Sequence, residues 1–246
     1  MSLVVRTWNL FHGNTVPPGR RAYLREMVEL VTADRPAVVC LQEVPVWALA
    51  HLQGWSGGMT STGIVAAPPR LGSATLGRLL TEVHHGLLRS AFTGQANAIL
   101  VDRPIAGGPV DGGRLDGAVT GERTLTVSSA GERRVCQAVT VDGLVVVNFH
   151  VTGGVPADEQ FARVVEFAEP LGDQVVIAGD ANLRPGSGTA YERLRALGFS
   201  APLPDSIDQI VVRGVDATPP RRWPDEDRRY GTRLLSDHAP VELVVG

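Results

Sequence analysis

The stretch "VVIAGDANLRP", Val175 to Pro185, decides the reading of this chain. A run of four apolar residues, Val175 to Ala178, stops at Gly179. A carboxylate (Asp180), an amide (Asn182) and a proline (Pro185) follow. A short continuous apolar run bounded by turn residues reads as a strand buried on both faces. Its end carries polar groups at i and i+2. An Asx turn leading into Pro185 explains that pair locally. A metal or phosphate site at a strand's edge explains it chemically.

Further strands lie on either side. "LVVRTW" (3–8), "AVVCLQEV" (37–44), "IDQIVVRG" (207–214) and "PVELVV" (240–245) are short and β-branched, as are 96–101, 123–128, 134–141 and 144–149. The turn signal "VDG" (141–143) joins the last two as a hairpin. Helical spacing runs through 20–33, 47–55, 72–92, 158–171 and 188–199. Strands mixed with helices predict a layered α/β architecture with much antiparallel pairing. The segments 103–121 and 216–233 read as loops within one domain, 1–246.

Composition narrows the function. The chain has 246 residues, 43% of them apolar, which is enough for a large core. Net charge is −3 with a pI near 6.1, which excludes the broad basic face of a protein held electrostatically on nucleic acid. Cys40 and Cys136 sit in apolar runs and read as reduced, buried thiols. The start "MSLVVRTWNL" lacks the pattern of a secretory signal, and no run approaches about 18 apolar residues, so a soluble cytoplasmic protein, monomeric by default, is expected.

The polar residues at strand ends form a chemically coherent set. Asn9 follows "VVRTW", Glu43 follows "VVCLQ", His150 follows "VVVNF", Asp208 opens "DQIVV", and Asp237-His238 precede "APVELVV". Adjacent strand ends lie on one sheet edge, so these groups are expected to share one cleft. Glu43 and Asp237 are oxygen ligands suited to a hard divalent cation, with Asn9 assisting. His150 and His238 offer donors to a phosphoryl oxygen, and Asp208 and Asp237 are placed to orient them. Asp180 can take a proton from water, and Asn182 can donate its amide to phosphate. Phosphate-ester cleavage needs this combination of metal, activated water and charge-stabilising donors.

The ordered motifs "TWNL", "LQEV", "VNFHV", "AGDANLRP", "SIDQIVV" and "LSDHAPVEL" resemble the endonuclease/exonuclease/phosphatase family from residue 7 to residue 245. The resemblance implies a four-layer α/β/β/α sandwich with two mixed β-sheets. It implies Mg²⁺ or Mn²⁺ at Glu43 with Asn9 and Asp237 nearby, and Asp180 orienting or deprotonating the attacking water. Asn182 and His238 would then hold the scissile phosphate. His150 would be a phosphate ligand or general acid paired with Asp208. "GQANAIL" places Asn97 near the substrate, and Arg134 matches a strand arginine that many members carry. Abasic-site members carry an acid two residues after the first asparagine, where this chain has Phe11.

The expected activity is hydrolysis of a phosphodiester, nuclease-like, by direct attack of water. The alternatives are a phosphatase acting on a small phosphomonoester or a lipid or inositol phosphate headgroup, and a non-catalytic phosphate-binding module. The expected partner is a phosphate-ester substrate, with nucleic acid as one candidate. His12 reads as a turn residue, His51 as surface, and the adjacent His84-His85 as facing different ways on a helix. Arg221, Arg222, Arg228, Arg229 and Arg233 alternate with acids and read as solvated charge or as an arginine presented to an anionic substrate, and Trp223 and Tyr230 among them as loop packing or a stacking surface for a base.

Overall fold

Residues 2–69, 93–102, 119–129 and 131–246 are described by the structure, a computed structural model. The first strands are β1 (Leu3–Asn9), β2 (Thr15–Val16), β3 (Val38–Val44), β4 (Thr60–Ala67), β5 (Gln95–Val101), β6 (Val119–Ser128) and β7 (Arg134–Val141). Then come β8 (Leu144–His150), β9 (Val175–Asp180), β10 (Asp208–Arg213), β11 (Arg221–Arg222), β12 (Arg229–Tyr230), β13 (Arg233–Leu235) and β14 (Val241–Val245). Among the described residues the α-helices are α1 (Leu24–Thr32), α2 (Leu52–Trp55), α3 (Ala157–Ala168) and α4 (Thr189–Ala196).

Two mixed sheets carry the fold. One runs β11-β14-β1-β3-β5-β4 and the other β10-β9-β8-β7-β6. Each has one parallel pair, β1 with β3 and β8 with β9. Side chains alternate across each strand, so each sheet has two faces to cover. The inner faces meet in a core built from Val5, Val38, Ile99, Val139, Val146, Val176, Ile210 and Val241. The outer face of the first sheet packs Leu41 and Leu100 under α1 through Met27, Val28 and Val31. The outer face of the second packs Phe149 and Ile177 under α3 and α4 through Phe161, Val165 and Leu194. The result is the expected α/β/β/α sandwich. Burying each such side chain contributes roughly 1.5–3 kcal/mol before chain entropy is subtracted.

Glycine serves close approach at two strand positions. A Cβ on Gly179 would lie 2.1 Å from the Phe149 carbonyl oxygen, so the glycine before Asp180 is what lets β9 run tight against β8. A Cβ on Gly63 would meet Leu49 at 2.8 Å. That glycine also hid β4 from a propensity reading, because glycine dilutes a strand pattern.

Other boundaries move for local reasons. Helix α1 starts at Leu24 rather than residue 20, because the Tyr23 N–H is taken by the Gly13 carbonyl at 2.8 Å and Arg21 lies over the Tyr23 ring. The stretch 216–233 holds β11, β12 and the start of β13 instead of loop alone. Cys40 and Cys136 are free and fully buried, in different cores. Burial pushes both thiols up, Cys136 to about 12. The expected helix 72–92, His84-His85 and residues 103–118 of the expected loop lie outside the described residues.

Candidate active site

Along the inner faces, the period-two alternation changes from apolar to polar toward one edge. On β8 the inward series is Leu144, Val146, Asn148, His150; on β9 it is Val176, Ala178, Asp180. On β10 it is Val212, Ile210, Asp208; on β5 it is Val101, Ile99, Asn97, Gln95; on β1 it is Val5, Thr7, Asn9. Strand direction brings these polar ends together. His150 and Asp208 stand directly opposite Asp180 on the two neighbours of β9, and the start of β14 lies beside the end of β1.

Glu43 reaches this edge by a different device. Strict alternation puts it on the outer face with Val39 and Leu41, which pack beneath α1 and α2. The pairing of β3 with β5 shifts register between Leu41 and Val44, and Glu43 takes a left-handed φ of +52°. A bulge of this kind re-aims a side chain at the cost of local strain. The carboxylate then lies 3.4 Å from His12 Nε2 and 3.8 Å from His150 Nε2. Burial raises its pKa, while Arg134 and a hydrogen bond from Asn9 act the other way.

Asp180 is the hub, 1% exposed. Its Oδ1 accepts the Asn182 backbone N–H at 2.8 Å, which is the Asx turn the sequence suggests. Its Oδ2 accepts from Asn9 Nδ2 at 3.0 Å and Asn182 Nδ2 at 3.2 Å. His150 Nε2 is 3.4 Å and His238 Nε2 4.0 Å from the same oxygen. Burial first, then the neighbouring Asp208 charge, raise this carboxyl to about 7. The local turn and the functional cluster therefore coexist.

The two histidines differ. His238 Nδ1 donates to both oxygens of Asp208, at 3.0 and 2.9 Å. Burial lowers its pKa, but that bond and the charges of Asp208, Asp180 and Asp237 prevail and raise it to about 10. The turn carrying it is fixed by Arg228, which donates to the carbonyls of Leu235, Ser236 and His238, and by Trp8 Nε1, which donates to the His238 carbonyl.

His150 is pushed well below its usual value by burial and then by Arg134. Its Nδ1 faces Arg134 Nη1 and the Gln95 amide, both at 3.0 Å. A guanidinium only donates, so this contact assigns the ring proton to Nε2, facing the carboxylates. The Gln95 amino group, at the same nitrogen, is a second donor consistent with that tautomer.

The expected pairing of Asp208 with His150 is therefore wrong: Asp208 belongs to His238. Strand β9 stands between β8 and β10, so the backbones of His150 and Asp208 are separated by two strand spacings, roughly 9–10 Å.

Three other expectations shift. Asn97 is 1% exposed and its amide donates to the Val135 carbonyl at 2.9 Å; Gln95, two residues earlier on the same face, is the β5 side chain that reaches His150. Arg134 lies behind His150, bonded to Glu132 and Thr152. Asn9 uses both ends of its amide, accepting from the Phe11 N–H at 2.9 Å and donating to Asp180. It acts as a bracket between Asp180 and Glu43. Asp237 lies on the rim, half-exposed, 3.9 Å from His238 Nε2.

Sequence reasoning missed Gln95, Glu132, Arg228 and His12. Gln95 sits in a quoted motif beside Asn97, and strand alternation was the available signal. His12 stands in "LFHGN" three residues after Asn9, which is a signal of proximity, whereas for Arg228 local pattern held none. Trp223, read with the arginine loop, instead donates to Glu242 at 2.8 Å beside Arg6.

Asp180, Asp208 and His238 also form an acid/histidine group whose ligand atoms lie within 4.8 Å of one another, a possible metal site by composition. Among the described residues no helix is long and apolar enough to cross a membrane.

Comparison with known proteins matches residues 7–238 to the sequence model of the Endonuclease/Exonuclease/phosphatase family. No match was found among curated proteins. Solved structures of the same fold include an endonuclease/exonuclease/phosphatase from Beutenbergia cavernae, at 17% identity and TM-score 0.68, covering 99% of this chain and 71% of that one. Humanized D. rerio TDP2 aligns at 13% identity and TM-score 0.64, covering 100% and 99%. A Bacteroides thetaiotaomicron mannosyl-6-phosphatase aligns at 18% and 0.62, covering 99% of each chain.

Proposed function

Since this chain belongs to the endonuclease/exonuclease/phosphatase family, whose members hydrolyse phosphate esters, we propose that it is a divalent-cation-dependent hydrolase of a phosphodiester. The observation that carries this reading is Asp180, a carboxyl of raised pKa held between Asn9, Asn182, His150 and the Asp208–His238 pair.

Two donor groups compete for the cation, and charge decides between them. In the Asp180–Asp208–His238 group the imidazole already bonds Asp208 through Nδ1 and holds a proton to high pH, so it repels a cation. Glu43 and Asp237 offer hard carboxylate oxygens, and the buried Glu43 charge lacks an adjacent cationic partner strong enough to keep its pKa down. The donor set fits Mg²⁺ or Mn²⁺ at Glu43 and Asp237, with Asn9 orienting Glu43. A cation bound there supplies polarisation of a phosphoryl oxygen and charge neutralisation at the leaving oxygen.

The chain's own residues do the rest. Asp180 accepts the proton of the attacking water at Oδ2. Asn182 and Asn9 hold that carboxylate in place, the Asn182 amino group being divided between Asp180 Oδ2 and the Val151 carbonyl at 2.9 Å. His238, kept protonated by Asp208, donates to a phosphoryl oxygen through Nε2. His150, neutral with its proton on Nε2, adds a second donor, and Arg134, Gln95 and Glu132 hold its ring. No covalent intermediate is needed, because among the described residues of this cluster there is no serine, threonine or cysteine beside Asp180 to act as nucleophile.

Charge also favours a diester. Glu43, Asp180, Asp208 and Asp237 crowd one edge, and a monoester dianion is penalised there more than a diester monoanion. The relative named as a mannosyl-6-phosphatase supports the monoester alternative. A panel of diesters and monoesters with and without EDTA tests the reading. Cation-dependent diester cleavage, lost in Asp180→Asn, is expected. Phosphate release from monoesters alone would transfer the assignment to a phosphatase. We read the chain as one domain, because the inter-sheet core draws on strands from both ends of the chain, and propose a cytoplasmic monomer as the default state. Light scattering should then give about 26.2 kDa.

A further inference from the structure

His12 is the residue the proposed reaction leaves unused. It follows Asn9 by three positions, in a turn where Phe11 (φ +47°) and His12 (φ +53°) are both left-handed without being glycine. Each such residue costs on the order of 1 kcal/mol, and strain of this kind persists where the surroundings hold a functional geometry. The turn is fastened by the Phe11 N–H on Asn9 Oδ1 at 2.9 Å and by the Asn14 N–H on the Phe11 carbonyl at 2.9 Å.

The outcome of that strain is an imidazole side chain only 10% exposed with Nε2 3.4 Å from Glu43 Oε2. Glu43 is itself left-handed at a bulge. Two separated segments thus adopt disfavoured backbone to bring one nitrogen and one carboxylate together. Two donors that share one ion at about 2.1 Å each lie about 3 Å apart, close to this spacing. The Asn9 oxygen is already engaged by Phe11, which leaves the cation short of a third donor on this side.

We propose that His12 Nε2 is a ligand of the same divalent cation as Glu43, making a mixed nitrogen–oxygen site that favours Mn²⁺ over Mg²⁺. An all-oxygen site suits Mg²⁺, whereas imidazole adds affinity for first-row transition ions and little for Mg²⁺. This inference rests on the cation site placed at Glu43 above.

The test uses the full chain loaded with Mn²⁺, read by pulsed electron paramagnetic resonance for directly bound ¹⁴N, and by calorimetry of Mn²⁺ and Mg²⁺ binding. His12→Asn is the informative variant, because asparagine tolerates left-handed φ and removes the ring nitrogen. Wild type and His150→Gln should carry the nitrogen coupling, and His12→Asn should lose it. Mn²⁺ affinity of His12→Asn should fall about tenfold or more, with Mg²⁺ affinity changed far less. Wild-type protein without nitrogen coupling overturns the proposal even if the variant fails to fold. So does a coupling that survives in His12→Asn, or equal weakening for both ions, which would make His12 only a hydrogen-bonding support for Glu43. If wild type and Glu43→Gln bind Mn²⁺ equally weakly, the cation site itself is wrong and both readings fall.

Discussion

The space between the sheets has two ends made from the same strands. At one end Val38, Val101, Val139, Leu144 and Val212 pack with nothing polar among them. At the other, two to three pairs along the same strands, Asn9, Gln95, His150, Asp180 and Asp208 face one another. Between them lies a layer where Gln42 donates to Thr7 and Asn148, and Asn148 donates to the Leu41 and Ala98 carbonyls. The apolar end supplies stability by burial and is chemically inert. The polar end stores unfavourable electrostatics, visible as raised carboxyls at Glu43 and Asp180, which the rest of the fold offsets. One sandwich thus separates holding together from reacting along its strand axis.

Asp180→Asn is the strongest way to break that contrast. It should cost two to four decades of kcat with an unchanged fold, measured by steady-state hydrolysis and circular dichroism. Wild-type turnover in this variant would remove the distinction. At the opposite end, Ile99→Ala should lose about 2–5 kcal/mol in denaturant unfolding while kcat at low temperature stays near wild type. Asn148→Ala, in the layer between, should do both in part, losing about 1–3 kcal/mol by stranding buried polar groups and lowering kcat several-fold by loosening His150.

Protonation sharpens the same comparison. The rate should rise with pH as Asp180 ionises, with the limb at or below about 7, and fall as His238 loses its proton near 10. Stability in EDTA should fall between about pH 4 and 7. There the folded chain still holds the Asp180 proton and the unfolded chain has released it, so folding binds a proton that becomes scarcer. Asp180→Asn should flatten that slope in thermal melts, while Ile99→Ala should shift the curve without changing its shape. The smallest effect belongs to neither region: Arg25→Ala, which breaks an exposed pair with Glu29, should leave the denaturant midpoint essentially unchanged.

The fold class, and the gathering of most candidate residues at one edge, were legible because both depend on short-range pattern. "VVIAGDAN" announces a buried strand with an acid at its end, and six such segments imply one edge rich in donors. Strand β4 was not legible, because Gly63, Ser61 and Thr62 dilute its pattern and its reason to be a strand is the β5 edge it completes. The family resemblance points to Asn97, yet Gln95 lies on the same face, and only the depth of β5 between the sheets separates them.

By itself, then, the sequence determined which residues could react and that they would gather at strand ends, since alternation and run length are local properties of the chain. Tertiary structure alone decided which partners they take. Strand order gave Asp208 to His238 instead of His150, a bulge turned Glu43 from the outer layer to the inner one, and a left-handed turn brought His12 beside it. Each depends on register between segments tens to hundreds of residues apart, which no local period encodes.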